Sequence, residues 1–256
     1  MTYTMLLTDK EWELISYCFP APAKWGRRRQ HPYRLLVNAM LYVDKTACQW
    51  RNLPSDFPKW KTVHDYFRKW TKSGLIRDIH DHLRGHVRLL ERRKQEPSAA
   101  ILDSQSVKSA ETGSDRGYDA AKKVKGIKRH ILVDTLGLLL ALLILPADVQ
   151  DRDGARSLLE QQAGRFKRLK LIWADAGYAG ALVLWVRQMF RFTLSIVQRA
   201  EGQKGFAVLP RRWVVERTFG WFGRYRRLAR HYERKRDSAE SMVYMAMIKL
   251  MLKRIA

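Results

Sequence analysis

The sequence predicts an α+β protein in which a small all-helical part, residues 1–97, precedes a mixed five-stranded sheet with flanking helices, residues 98–256. Up to Lys94 the apolar residues recur every three or four positions, the period of amphipathic helices. After Pro97 the period changes, and short apolar runs such as Ala99 to Leu102 and Leu138 to Leu145 alternate with helical stretches. The third observation is charge: 49 Lys and Arg against 25 Asp and Glu, a formal net charge of +24 on a chain that is 46% hydrophobic. Such a surplus on a folded body calls for a polyanionic partner, nucleic acid before an anionic membrane surface. The surplus is +9 over residues 1–97, +6 over 98–205 and +9 over the last 51 residues, where it is densest.

Thr8-Asp9-Lys10-Glu11 forms a capping box ahead of Trp12, Leu14 and Ile15, so a first short helix ends near Pro20. A basic loop with Arg27, Arg28 and Arg29 follows, then a helix over His31 to Thr46. Pro54 and Pro58 stiffen a connector, after which Thr62 is expected to cap a helix from Val63 to Ser73 that stops at Gly74. Its apolar side holds Val63, Tyr66, Phe67 and Trp70, leaving Arg68, Lys69 and Lys72 outward. Two helices around a turn, the second one basic, suggest a helix-turn-helix-like DNA reader, with a plain helical bundle as the alternative. Leu75 to Lys94 is a further helix, and its histidines, His80, His82 and His86, read as an exposed polar face rather than a metal site.

Beyond Pro97, strands are expected at Ala99 to Ser104, Arg129 to Asp134, Leu138 to Leu145, Leu169 to Ala174 and Phe192 to Arg199. Helices are expected at Asp151 to Phe166, Gly180 to Met189, Pro210 to Glu233 and Ala239 to Leu252. The order β-β-β-α-β-α-β-α is that of the ribonuclease H-like fold. The longest apolar run, Leu136 to Pro146, is too short to span a bilayer. The two cysteines, Cys18 and Cys48, make no disulfide framework and fit a reducing cytosol, so a cytoplasmic protein is expected.

Side chains at strand ends are where sheets of this kind do chemistry. Asp103 is expected at the end of the first strand and Asp175 just past the fourth, close together if those strands are neighbours. Glu216 lies on the Pro210–Glu233 helix among Arg212, Arg227 and Arg230, with Gly220 and Gly223 between them. The plain reading of that face is a solvated Arg212–Glu216 pair at i,i+4. The chemical reading brings three carboxylates together, which repel unless a cation sits between them. Oxygen-only donors suit Mg²⁺ or Mn²⁺, and a pair of such ions can polarise both the attacking and the leaving oxygen of a phosphodiester. Asp148, Asp151 and Asp153 read as helix capping and Asp134 as a structural turn acid. No Walker loop or dinucleotide fingerprint occurs, so nucleotide hydrolysis has no support. Trp213 and Trp221 read as core packing or as platforms for a flipped base.

Longer motifs add a resemblance. The N-terminal part carries Gly26-Arg27-Arg28-Arg29, Cys48-Gln49-Trp50-Arg51-Asn52-Leu53-Pro54 and Phe57-Pro58-Lys59-Trp60. The C-terminal part carries Asp103-Ser104-Gln105-Ser106-Val107-Lys108, Lys125-Gly126-Ile127-Lys128-Arg129-His130, Ala174-Asp175-Ala176-Gly177-Tyr178 and Leu209-Pro210-Arg211-Arg212-Trp213-Val214-Val215-Glu216-Arg217-Thr218-Phe219. Nearly end to end, the chain resembles the DDE transposases of bacterial insertion sequences, specifically the IS-five group within the IS-four-like superfamily. The resemblance implies that Asp103, Asp175 and Glu216 are the DDE triad and hold two divalent metal ions, Mg²⁺ or Mn²⁺. The enzyme would cut double-stranded DNA at the terminal inverted repeats of its element and join the 3′-hydroxyl ends to a target. It implies a homo-oligomer, a dimer, on DNA, associated with the bacterial nucleoid and not with a membrane. Arg212 matches the arginine of the family's signature around the glutamate, while Leu209 and Gly223 stand where that signature has tyrosine and lysine. The expected DNA contacts are Arg27, Arg28, Arg29, Arg68, Lys69, Lys72, Lys125, Lys128, Arg129, Arg212, Arg224, Arg227 and Arg230. The alternative is a transposase-derived sequence-specific DNA-binding protein without catalytic activity.

Overall fold

A computed structural model of the protein describes residues 5–21, 29–110, 115–197 and 212–256. Four helices come first: α1 (Asp9–Ser16), α2 (Tyr33–Thr46), α3 (Trp60–Ser73) and α4 (Leu75–Leu90), with a 3₁₀ turn at Trp50–Asn52 in the connector. The capping box at α1 is present in full, Thr8 accepting from Glu11 N and Glu11 accepting from Thr8 N. Gly74 ends α3 in the left-handed region at φ 80°, a conformation glycine enters without a Cβ clash. The expected Thr62 cap is not used, because α3 starts earlier, with Lys59 at its N-cap and no side-chain cap bond.

The sheet follows: β1 (Ala99–Lys108), β2 (Gly117–Asp119), β3 (Val124–Asp134), β4 (Leu139–Pro146), β5 (Leu171–Ala174) and β6 (Thr193–Ile196). Its order across is β4-β3-β1-β5-β6, and the short β2 pairs with β3 over 124–126, just past the end of β4. β1 runs antiparallel to β3 and parallel to β5, so the sheet is mixed, as expected, with a sixth strand that the sequence reading did not assign. The helices α5 (Asp151–Gln161) and α6 (Ala181–Met189) cover one face, packing on Leu102, Leu132 and Ile172. The other face, with Ile101, Ile131 and Ile144, carries α7 (Trp213–Phe222), the four-residue α8 (Arg226–Ala229) and α9 (Arg236–Ile255). The apolar side of α1 to α4 joins that same cluster. Among the described residues no helix is long and apolar enough to cross a membrane.

Three expectations are corrected. β1 does not stop near Asp103 but continues to Lys108, since its polar half, Ser104 to Lys108, pairs residue by residue with 126–130 of β3. Gly126 makes that approach possible, as a Cβ there would lie 2.0 Å from the Val107 carbonyl oxygen. The single helix from Pro210 to Glu233 is broken. Residues 198–211, Leu209 among them, lie outside the described residues, and α7 ends at Gly223, where Lys45 Nζ donates to the Arg224 carbonyl at 2.6 Å. His80 is not on an exposed face: it is fully buried, edge-on to Tyr244, and burial lowers its pKa.

Candidate active site

Asp103 sits mid-strand on the face that α7 covers, level with Asp175. The register explains why: Ile101 pairs with Trp173 in the parallel β1–β5 ladder, and two further residues on each strand reach the two acids. Asp175 leaves β5, and its Oδ1 accepts from Gly177 N at 2.9 Å, fixing a 3₁₀ turn over Ala176–Tyr178. Glu216 lies in the first turn of α7, where the positive end of the helix dipole favours a carboxylate.

The three acids converge on one cation. Arg212 Nη2 stands 3.6 Å from Asp175 Oδ2, 3.9 Å from Asp103 Oδ2 and 3.9 Å from Glu216 Oε1. Exposure grades across the set, from 16% for the Asp103 side chain to 33% for Asp175 and 60% for Glu216. Burial pushes the Asp103 carboxyl up to about 6 and the Asp175 charge adds to the rise, while the Ser104 amide and Arg212 oppose it. Behind the acids, the buried Tyr178 phenol has a pKa raised well above its ordinary value, first by burial and then by Asp103 and Asp151.

The donor chemistry of this set, three carboxylates and no nitrogen or sulfur, fits a hard divalent cation. The guanidinium holds their centre, and among the described residues no three His, Cys, Asp or Glu are arranged around a point that would hold an ion. Seating an ion between the acids therefore requires Arg212 to withdraw.

The cations expected on DNA divide into two groups. Arg29, Lys69, Lys72, Lys125, Arg224 and Arg230 are exposed, and Arg68 and Arg212 are half-buried. Arg27 and Arg28 lie outside the described residues. Lys128, Arg129 and Arg227, expected as DNA contacts, are buried and engaged within the protein. Lys128 Nζ bonds the Val149 carbonyl at 2.8 Å and Asp151 at 3.0 Å. Arg129 reaches the Leu228 carbonyl at 2.9 Å, and burial lowers its pKa to about 10. Arg227 bonds Glu233 at 2.7 Å and the Cys48 carbonyl at 3.1 Å. Beside the acids, Gln105, Lys108, Gly223 and Arg230 help line a cleft of about 320 Å³ that opens past the end of α7.

Some neighbours of the site escaped the sequence reading. Ser104, on the opposite face of β1 from Asp103, donates to Asp151 Oδ1 at 2.8 Å, and Ser106 donates to Asp119 at 2.6 Å. The alternation of serines at 104 and 106 was the available signal for a polar layer under that face. Asp151 is thus tied to β1 and Lys128 as well as opening α5. Gly154 lets α5 approach the sheet, since a Cβ there would meet the His130 ring at 2.1 Å. Trp221 is core and Trp213 is exposed, with the Arg217 guanidinium 4.6 Å from the Trp213 ring and 4.9 Å from that of Trp221.

Comparisons with known proteins identify the family. The family described as "Transposase DDE domain" matches residues 94–252, and the family described as "Putative transposase of IS4/5 family" matches residues 7–80. The chain is 28% identical over 166 residues to a putative transposase for insertion sequence element IS402 of Burkholderia cepacia, covering 60% of this chain and 72% of that protein. It is 27% identical over 124 residues to the insertion element IS402 uncharacterized 16.2 kDa protein of the same organism, covering 44% of this chain and 79% of that one. No solved structure matches the chain. The chain belongs to the DDE transposases of the IS4/5 type.

Proposed function

We propose that the chain cuts the terminal inverted repeats of its own insertion sequence and joins the freed 3′-hydroxyls to target DNA, with Asp103, Asp175 and Glu216 as the catalytic acids. The observation that carries this reading is their convergence within 4 Å of one guanidinium nitrogen, although they come from two strands and a helix. When bound, a pair of Mg²⁺ or Mn²⁺ ions would supply the charge that polarises the attacking and leaving oxygens of the phosphodiester. Asp103 and Asp175 would hold them from the sheet side and Glu216 from α7. The β1–β5 register fixes the two aspartates relative to each other. Arg212, once withdrawn from the acids, would take a non-bridging oxygen of the scissile phosphate. Lys108 and Arg230, which line the cleft beside the acids, and the exposed Arg224 would flank the DNA backbone.

In this reading residues 1–97 recognise the repeat ends, with the basic face of α3 as the reader, and residues 98–256 perform the chemistry. The protein acts as a dimer pairing two ends, in the bacterial cytoplasm on the nucleoid. Full-length protein is expected to nick duplexes carrying the element's ends only with Mg²⁺ or Mn²⁺. Asp103→Asn, Asp175→Asn and Glu216→Gln should each abolish nicking and leave end binding intact. Nicking by Asp103→Asn at the wild-type rate would overturn the assignment. The second reading, a binding protein without catalysis, is favoured by Arg212 filling the centre of the acids and by Gly223 where the family signature has lysine. Wild-type protein that binds the ends but cuts at no divalent metal concentration would establish it.

A further inference from the structure

At the far end of the sheet from the α7–α8 turn, a second basic cleft opens where β1 begins. It encloses about 310 Å³ and is lined by Arg88, Arg92, Arg93, Lys94, Thr135 and Arg168, with Glu96 as its one acid. Arg88 is neutralised by the buried Asp134, to which it bonds, and its Nε donates to the Lys94 carbonyl at 2.8 Å. Arg168 Nη1 donates to the Glu96 carbonyl at 2.8 Å, which pins its head at the rim. Arg92, Arg93 and Lys94 are exposed, and among the described residues neither Arg92 nor Arg93 has a carboxylate partner. Arg92 is in the left-handed region at φ 54°, so the chain reverses there and three consecutive cations surround the cleft instead of trailing along a helix. A cluster of unneutralised guanidinium groups around a cavity of this size suits a phosphate.

The cleft is not isolated from the acids. Arg217, next to Glu216, donates to the Leu136 carbonyl at 2.9 Å, beside the Thr135 that lines the cleft. Arg254 stacks on the same Trp221 ring as Arg217, at 4.6 Å. Arg217 and Arg254 thus lie on the side of α7 toward this cleft, Arg254 feeling the charge of Glu91, which precedes Arg92. We infer that this cleft takes a backbone phosphate of the bound DNA on the side of the cut opposite Arg230, an inference that rests on the DNA-cutting reading of the acids. Four residues of β1 separate Ala99 from Asp103, roughly 13 Å at about 3.3 Å per residue. With about 3.4 Å per base pair, the held phosphate lies about four base pairs from the scissile bond.

The test uses full-length protein without divalent metal, and duplexes carrying the element's ends. An Arg92→Gln, Arg93→Gln double variant, both sites being exposed, should melt like wild type. It should lower the slope of log K against log salt by about one, the value for one lost phosphate contact. Ethylation interference should lose sensitivity at one phosphate about four base pairs from the cut and keep it elsewhere. An unchanged slope and an unchanged interference pattern would overturn the inference. Inorganic phosphate binding to wild type but not to the variant, with the DNA slope unchanged, would make the cleft a small-anion site and overturn it equally. Because nothing here reads cleavage, these outcomes stay separate from those of the Asp103→Asn nicking experiment.

Discussion

Arg212 and Asp175 face each other across the gap between β5 and α7, Nη2 to Oδ2 at 3.6 Å, and the same nitrogen lies 3.9 Å from both Asp103 and Glu216. One guanidinium therefore balances part of the charge of three carboxylates. A divalent ion held by the same acids would compete with that guanidinium for their oxygens. Arg212→Gln should bind Mn²⁺ more tightly, read as loss of the free Mn²⁺ electron-paramagnetic signal without DNA. Three partly exposed contacts of about 0.3–0.5 kcal/mol each set the scale, and a gain of roughly fivefold to tenfold is expected. Weaker Mn²⁺ binding in the variant would mean the guanidinium assembles the acids instead of contesting them.

The end of α8 at Ala229, with Arg230 already extended, separates two arginines that a continuous helix would have put on one face. Arg230 is exposed on the cleft beside the acids, and Arg227 is turned inward onto Glu233 and the Cys48 carbonyl. Arg230→Gln should lower the salt slope of DNA binding by about one and leave the melting temperature unchanged. Arg227→Gln should instead cost about 3–5 kcal/mol of stability, because the Glu233 carboxylate loses its buried partner. Chemical denaturation of both variants checks this, and equal stability would reject the inward assignment.

What the sequence made legible follows from how local the cause was. The α1 capping box and the Gly74 stop are decided within one turn of chain, and both were readable in the residues. The level placement of Asp103 and Asp175 was readable too, because an apolar strand leads to each acid. The continuation of β1 was not, since Ser104 to Lys108 owes its strand to the partner β3 and not to its own hydrophobicity. Burial of Lys128, Arg129 and Arg227 was equally hidden. A cation's stem and head look alike in sequence whether the head meets water or, as here, a carbonyl 99 residues away.

A second buried pair ties the ends of the chain together. Lys249 on α9 contacts both Glu11 oxygens, at 2.5 and 2.7 Å, and the Leu6 carbonyl at 3.1 Å, with both side chains only 4% exposed. Lys249→Met would leave a buried carboxylate unpaired, at a cost of about 3–5 kcal/mol. Adding Glu11→Gln should return part of that loss, since the uncompensated charge is gone. A double variant no more stable than Lys249→Met alone would show that the pair's packing, not its charge, matters.

Glu240 supplies the pH dependence. It lies on α9 against β4, its Oε1 accepting from Ile144 N at 3.2 Å, and burial raises its pKa from 4.5 to about 7, while the Ile144 amide opposes the rise. A carboxyl whose folded pKa exceeds its unfolded one binds a proton more tightly in the native state. Its contribution is therefore complete below about pH 4.5 and is lost as pH rises through about 7. The full span is on the order of 3 kcal/mol for two and a half units at about 1.4 kcal/mol each. Glu240→Gln keeps an acceptor for Ile144 N but cannot ionise. Urea denaturation from pH 5 to 8 should show the variant gaining stability relative to wild type as pH rises, with the steepest change between about pH 5 and 7. A constant difference across that range would mean Glu240 reaches water in the folded chain.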